Sequence, residues 1–440
     1  MTGMMQGDCS FVGFGFGAIQ AGLFLYEAQR AGNFSRMVVA EVLPDVVAAV
    51  RSNGGQYRVN IAHDDGIERA QVGPVTLLDP GQEQDRERLV EALAQAHEIA
   101  TAIPSVAYYR TPDRASLHRS LADGLRLKAK RGGPRAVVYA AENHNEAAEI
   151  LQGALFSQIP AQERQAVNER VQFVNTVIGK MSGVVDDPRQ IEMQALAPIT
   201  PGHGRAFLVE AFNRILISRI SFDDESFSRG IQVFEEKGDL LPFEEAKLYG
   251  HNATHALAAY LGAVRGVEAI ADLQGVPGVM PFLRSAFLQE SGAALIRKYR
   301  GVDPLFTVEG YRHYAEDLLT RMANPYLQDR VARVGRDPQR KLGWDDRLIG
   351  TIRLAMAQGL EARRYALGAA AALITLDEAA LATSLPASEW LLPLWQKAGA
   401  VAEDQTAVIE QIEAVRPILA HWIAEGFPDL ESLWDRYELD

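Results

Sequence analysis

Hydrophobic residues in the first half of the chain come in short runs separated by stretches of helical period. Phe11 and Val12 end a first strand, a glycine-rich turn GFGFGAIQAG follows, and residues 23–31 return to helical spacing. Residues 37–40 predict the next strand, which ends at Glu41. Further strands are expected at 75–78, 99–103, 136–140, 172–177 and 207–217, with helices at 86–96, 114–130 and 147–155. Such alternation implies a mainly parallel sheet with helices on both faces, a Rossmann-like doubly wound α/β domain over residues 1–230. After about Arg229 the character changes, and from Pro242 on the period is almost entirely helical, so residues 231–440 are expected to form an all-α domain.

Composition narrows the function. The 440 residues are 48% hydrophobic and 23% charged, enough for two domains that each bury a core. A net charge of −13 argues against nucleic acid as partner, because phosphate backbones need a basic face. The single cysteine, Cys9, excludes a disulfide framework and a cysteine-rich metal site and fits a reducing, cytoplasmic setting. The leading MTGMMQGDCS lacks the pattern of a signal peptide, and the longest apolar stretch, 365–376, is too short to span a bilayer. No membrane or metal is therefore expected.

The glycine turn supplies the first candidate chemistry. Gly13, Gly15, Phe16, Gly17, Ala18 and Ile19 lie where a strand runs into a helix, and glycines there let the backbone approach a pyrophosphate at the helix amino end. Gln20 stands in the third glycine place if Gly15 and Gly17 are the first pair, and Ala18, a tolerated variant, if Gly13 and Gly15 are; Gly22 can supply close packing that Gln20 cannot. Glu41 follows about 20 residues on, where a carboxylate accepts hydrogen bonds from ribose hydroxyls and repels a 2′-phosphate, so NAD is expected over NADP. Alternatively the turn is merely a tight strand-to-helix connection.

The second candidate is PFEEAKLYGHNATHALAAYLG, which starts at Pro242 and reads as a helix with an acidic first turn. It carries Lys247, Asn252 and His255. A titratable amine, an amide and an imidazole suit removal of a proton from an alcohol while neutral donors hold the developing oxyanion. Taken singly, Lys247 reads as a solvated lysine and His255 as a satisfied core histidine; it is the glycine turn at the start of the chain that changes this. Asn143, just past the strand at 136–140, is either a turn or helix-capping asparagine or a side chain facing a bound nicotinamide. Arg333, Arg336, Arg340, Lys341 and Arg347 crowd into one short segment, a charged face or an anion site.

Together these residues resemble the polyol-specific long-chain dehydrogenases, the mannitol dehydrogenase family, most closely its branch acting on mannitol 1-phosphate. The hallmark K-x4-N-x2-H is matched by Lys247, Asn252 and His255, and AENHN, SGAALIRKY and NPYLQDRVARVGRDPQRKLGWDDRLIG extend the likeness. The resemblance implies zinc-independent, NAD-linked interconversion of a secondary alcohol and a ketone on an open-chain sugar derivative. It makes Lys247 the general acid/base, Asn143 and Asn252 donors to the reacting oxygen, His255 an orienting residue, and Arg333 and Lys341 substrate binders. Two departures stand out: Gly179-Lys180 replaces the family's Asp-Arg, and Asn145-Glu146 follows where phosphate-using members carry an arginine. The leading expectation is thus a polyol phosphate, with an unphosphorylated polyol or a sugar acid as alternative. A β-hydroxyacid dehydrogenase and a non-catalytic NAD sensor rank lower, and a monomer or dimer is expected.

Overall fold

Strands with apolar residues on consecutive positions are stable only when both faces are covered. The computed structural model, which describes residues 9–222, 227–381, 385–396 and 401–438, shows how this chain covers them. Met1–Asp8, most of the leading segment discussed above, lies outside the described residues. The chain divides into two compact units, Met1–Leu241 and Pro242–Asp440.

The first unit contains β1 (Cys9–Phe14), β2 (Phe34–Ala40), β3 (Tyr57–Ala62), β4 (Ile67–Val72), β5 (Thr76–Leu78), β6 (Glu98–Thr101), β7 (Ala136–Ala140), β8 (Val171–Val177), β9 (Ser182–Val185), β10 (Ala206–Glu210), β11 (Ile215–Ser218) and β12 (Phe234–Lys237). Among the described residues these form an eight-stranded sheet, β12-β11-β8-β7-β6-β1-β2-β5, and a four-stranded sheet, β4-β3-β10-β9. From β5 to β8 the large sheet is parallel, and β11 joins β8 antiparallel. The strands alternate as their burial requires: Phe11, Val39 and Tyr139 point into one core, Val12, Val38 and Val138 into the other. Helices Glu83–Gln95 and Leu117–Arg131 supply Leu89, Leu93, Leu121 and Leu125 to the second core. The first core is closed by the helix after β1 and by Tyr57 and Phe207 of the small sheet.

The small sheet was not foreseen, and it corrects the expected strand at 207–217. That run is two strands in two sheets, because Glu210, Asn213 and Arg214 interrupt its apolar residues. Lys180 fastens the crossing: its buried ammonium donates to the carbonyls of Glu210 and Phe212 (2.9 Å) and to Asn213 Oδ1 (2.7 Å). The lysine that departs from the family pattern therefore has a structural task.

The second unit is helical. Its central 241–265 helix packs against the buried helix Arg363–Leu376, where Gly368 makes room for Leu257 and Thr254 Oγ1 lies 2.7 Å from the Tyr365 hydroxyl. No helix among the described residues is long and apolar enough to cross a membrane.

One buried carboxylate gives the first unit a pH signature. Glu98, at the start of β6, is fully buried; it accepts from the Tyr139 hydroxyl (2.8 Å) and from the backbone N–H groups of Gly230 and Ile231. Burial outweighs these hydrogen bonds and pushes its pKa up to about 7. Between about 4.5 and 7 the native state keeps a proton that the unfolded chain has released, so stability falls as pH rises through this window. Unfolding free energy should drop by up to roughly 3 kcal/mol from pH 4.5 to 7. Denaturant titrations of Glu98→Gln should show that dependence largely removed.

Candidate active site

β1 does not stop at Val12 but continues through Phe14, so Gly13 is a strand residue and the turn proper is Gly15-Phe16-Gly17. A Cβ on Gly13 would stand 2.4 Å from Gln20 Nε2, so Gly13 lets the helix lie close on the strand. Gly22 packs equally close to Val209 of β10, 2.6 Å from where its Cβ would be. Gly15 has φ +81° and faces the Ala102 carbonyl, a position open in practice only to glycine. Nothing lies within 4 Å of where a Cβ on Gly17 would stand, which leaves backbone accessible beside the helix start. Ala18 and Ile19 begin that helix, and its next turn, Gln20–Leu25, is π-helical.

The loops around this turn are held by two carboxylates. Glu41 accepts from the N–H of Phe16 (2.6 Å), Val42 (2.7 Å) and Leu43 (2.8 Å), tying the end of β2 to the glycine turn. Glu142, buried at the end of β7, accepts from Thr101 Oγ1 (2.8 Å), Ile103 N–H (3.0 Å) and the Tyr109 hydroxyl. Gly15 thus sits against residues that follow β6, at the point where strand order reverses between β1 and β6. That is where parallel sheets of this kind receive ligands. An accessible glycine turn at the switch point, with Glu41 at the end of the next strand, fits a dinucleotide.

Asn143 directly follows Glu142 and is exposed in the loop before Ala147–Phe156. It does not cap that helix: Asn175 Oδ1 of β8 accepts from Ala148 N–H instead (2.8 Å).

In the second unit the helix expected from Pro242 begins at Leu241 and is not α-helical throughout. Ala246–Asn252 is a π-helical turn, followed by α-helix over Ala253–Arg265. A π turn closes on residue i+5, which stacks Asn252 over Lys247; His255, three further on, returns to the same face. In an unbroken α-helix positions five apart would diverge. Gly250 accommodates the wider turn, since a Cβ there would lie 2.5 Å from the Tyr311 hydroxyl and 2.8 Å from the Phe287 ring. Phe287 belongs to another π turn, Ala286–Gly292.

The face is electrostatically tuned. Burial, reinforced by the charge of Arg347 and opposed by Glu244, brings Lys247 down to about 8. His251, on the same turn, is held well below its ordinary value by burial and then by Arg321 and other cations. Asn252 and His255 are half-buried. His255 Nε2 lies 3.1 Å from Asp329 Oδ2, and Asp329 Oδ1 accepts from Arg333 Nε (2.8 Å) and its terminal nitrogen.

The expected substrate binders therefore fall into different surroundings. Arg333 is half-exposed and anchored to Asp329. Lys341 is 2% exposed, donates to the Arg336 carbonyl, and burial with Arg347 and Arg340 brings it down to about 8. Arg340 pairs with Asp337 (3.1 Å) and Asp346 (3.3 Å), and Arg347 with Asp346 (2.7 Å). Asp329 went unnoticed in the sequence, although its place four residues before Arg333 is ion-pair spacing on a helical turn. Arg347 was noticed only as one of a basic run. No group of side chains that could hold a metal is found among the described residues.

A nucleotide-binding sheet followed by a helical unit with a lysine of lowered pKa is the construction of a nucleotide-linked dehydrogenase. Residues 10–223 match the mannitol dehydrogenase Rossmann domain and residues 239–418 the mannitol dehydrogenase C-terminal domain. A mannitol-1-phosphate 5-dehydrogenase of Bacillus licheniformis is 30% identical over 339 residues, 76% of this chain and 80% of that protein. One from Exiguobacterium sibiricum is 30% identical over 368 residues, 83% and 85% respectively. The chain belongs to the mannitol dehydrogenase family and is an NAD-dependent oxidoreductase. Its fold is shared with D-sorbitol dehydrogenase (TM-score 0.74, 14% identity, 95% of this chain and 94% of that one). It is also shared with Pseudomonas fluorescens mannitol 2-dehydrogenase in a ternary complex with NAD and D-mannitol (TM-score 0.69, 16% identity, 97% and 94%).

Gly250→Ala should push the π turn against Tyr311 and Phe287. Thermal unfolding should register a loss of about 1–3 kcal/mol, and turnover should fall further than the folded fraction does, because Lys247 and Asn252 leave register.

Proposed function

We propose that this protein interconverts a secondary alcohol and a ketone on an open-chain polyol phosphate, of the mannitol 1-phosphate and fructose 6-phosphate type. The observation that carries this is Lys247, with its pKa near 8 on a π turn that aligns it with Asn252 and His255. Bound NAD⁺ supplies the hydride acceptor. Lys247 takes the hydroxyl proton during oxidation and returns it during reduction, a role that suits an amine titrating near neutral pH. Asn252, and from the first unit Asn143, donate hydrogen bonds to the reacting oxygen as its charge develops. His255 orients the neighbouring hydroxyl. Glu41 accepts from the ribose hydroxyls and disfavours NADP.

Arg333 and Lys341 bind the far part of the substrate, and the exposed Arg336 adds a further cation to their segment. The names of the two relatives support a phosphate there. An unphosphorylated polyol or a sugar acid is the alternative; the uncharged polyol is favoured by Asp329, Asp337 and Asp346, which already pair with three of the arginines.

Oxidation should follow an ionisation near 8, rising as Lys247 loses its proton, while ketone reduction should fall through the same range. Lys247→Ala should cut kcat by about 10³-fold or more and abolish that ionisation. Arg347→Gln should move it upward, because one of the two causes lowering it is gone. A steady-state panel of polyols, polyol phosphates and aldonates with NAD⁺ and NADP⁺ decides the substrate. Near-equal kcat/KM with and without phosphate would reject the phosphorylated substrate, and equal use of NADP⁺ would reject the role given to Glu41.

A further inference from the structure

Asp329 is the least exposed acid of the NPYLQDRVARVGRDPQRK segment, 6% exposed, and its carboxylate faces two of the residues assigned above. Its backbone is held independently of its side chain. Ile270 N–H donates to the Asp329 carbonyl (2.9 Å) and Val331 N–H to the Glu268 carbonyl (2.9 Å), forming a short antiparallel bridge between Ala269 and Arg330. The carboxylate is therefore not needed to anchor the chain at this point. Instead Oδ1 receives the Arg333 guanidinium, and Oδ2 lies 3.1 Å from His255 Nε2. This second contact is an ion-pair approach off the axis of a linear hydrogen bond, and both atoms are buried without another partner.

We propose that Asp329 is a positioning residue: one buried carboxylate, shared by His255 and Arg333, that sets the imidazole's tautomer and holds both side chains in the pose that orients the substrate. The inference rests on the function proposed above for those two residues.

A carboxylate only accepts, so the ring nitrogen facing it must carry the hydrogen. In the neutral ring Nε2–H then faces Asp329 at an angle, and Nδ1 is left as an acceptor for a substrate hydroxyl. The neighbouring charges do not compete for this role. His251, whose ring centre is 6.3 Å away, is held neutral by burial, and Arg321 and Arg347 offer donors only. Burial alone would raise the Asp329 pKa, but His255 and Arg333 outweigh it and keep it below the ordinary carboxylate range. An asparagine at 329 would present either a donor or an acceptor to the ring, removing the constraint without removing volume.

The test reads the tautomer directly from ring nitrogen shifts of ¹⁵N-histidine-labelled protein, with His255 assigned by substitution, and needs no substrate. The wild type is expected to show the Nε2–H form, and Asp329→Asn to lose that preference. In kinetics with D-mannitol 1-phosphate and D-mannitol, Asp329→Asn should raise KM by about tenfold and change kcat by less than about threefold. Asp329→Glu should recover most of both losses. An Nδ1–H form in the wild type would overturn the proposal even if Asp329→Asn failed to fold. A folded Asp329→Asn with unchanged ring signals, or with unchanged KM, would overturn it too. If neither compound is turned over while the ring signals behave as expected, the substrate assignment fails and the Asp329–His255 coupling stands.

Discussion

The helical unit depends on a wide turn. Lys247 and Asn252 are separated by five positions, a spacing that a regular α-helix sends to different sides and a π turn brings to one. Such a turn has poorer backbone geometry than the α-helix on either side, so the surrounding packing has to hold it open. Gly250 lets the Tyr311 hydroxyl and Phe287 ring close against the backbone, and Phe287 is itself set by another π turn. Two irregular helices are thus packed against each other, and one of them carries the residues proposed for the chemistry.

The same packing sets the electrostatics. Burial lowers the Lys247 pKa, and Arg347 adds to it across the turn without neutralising the amine as a carboxylate would. Two acids of the unit have other partners: Asp346 pairs with Arg340 and Arg347, and Asp329 with His255 and Arg333. Burial and the Arg347 charge together outweigh Glu244, which pulls the other way, so this lysine can lose its proton near neutral pH.

In the first unit the equivalent constraint is the reversal of strand order between β1 and β6. Gly15 can approach Ala102 only because it lacks a side chain, and Glu41 and Glu142 each gather backbone or hydroxyl donors from separate loops. Two carboxylates, one beyond β2 and one beyond β7, with β1 and β6 between them, therefore hold the loops on either side of the glycine turn. Asn143 takes its place from the second of them.

Much of this was legible in the sequence, because local pattern determines it. Alternating apolar runs and helical stretches specify a doubly wound sheet followed by helices, and a glycine turn before a helix with Glu41 beyond it marks the nucleotide side. The spacing of Lys247, Asn252 and His255 singles out the face proposed for the chemistry, although the pattern predicts an ordinary helix where a π turn stands. What the tertiary structure alone decided depends on partners far away in sequence. Polar residues break the 207–217 run, but Lys180 binds the point where it crosses between sheets, and Tyr311 and Phe287 close on Gly250 of the π turn. Asp329 gains its place because a bridge to Ala269 sets it beside His255. Periodicity along a chain reports which face of an element is buried; it carries no record of which distant residue will cover that face.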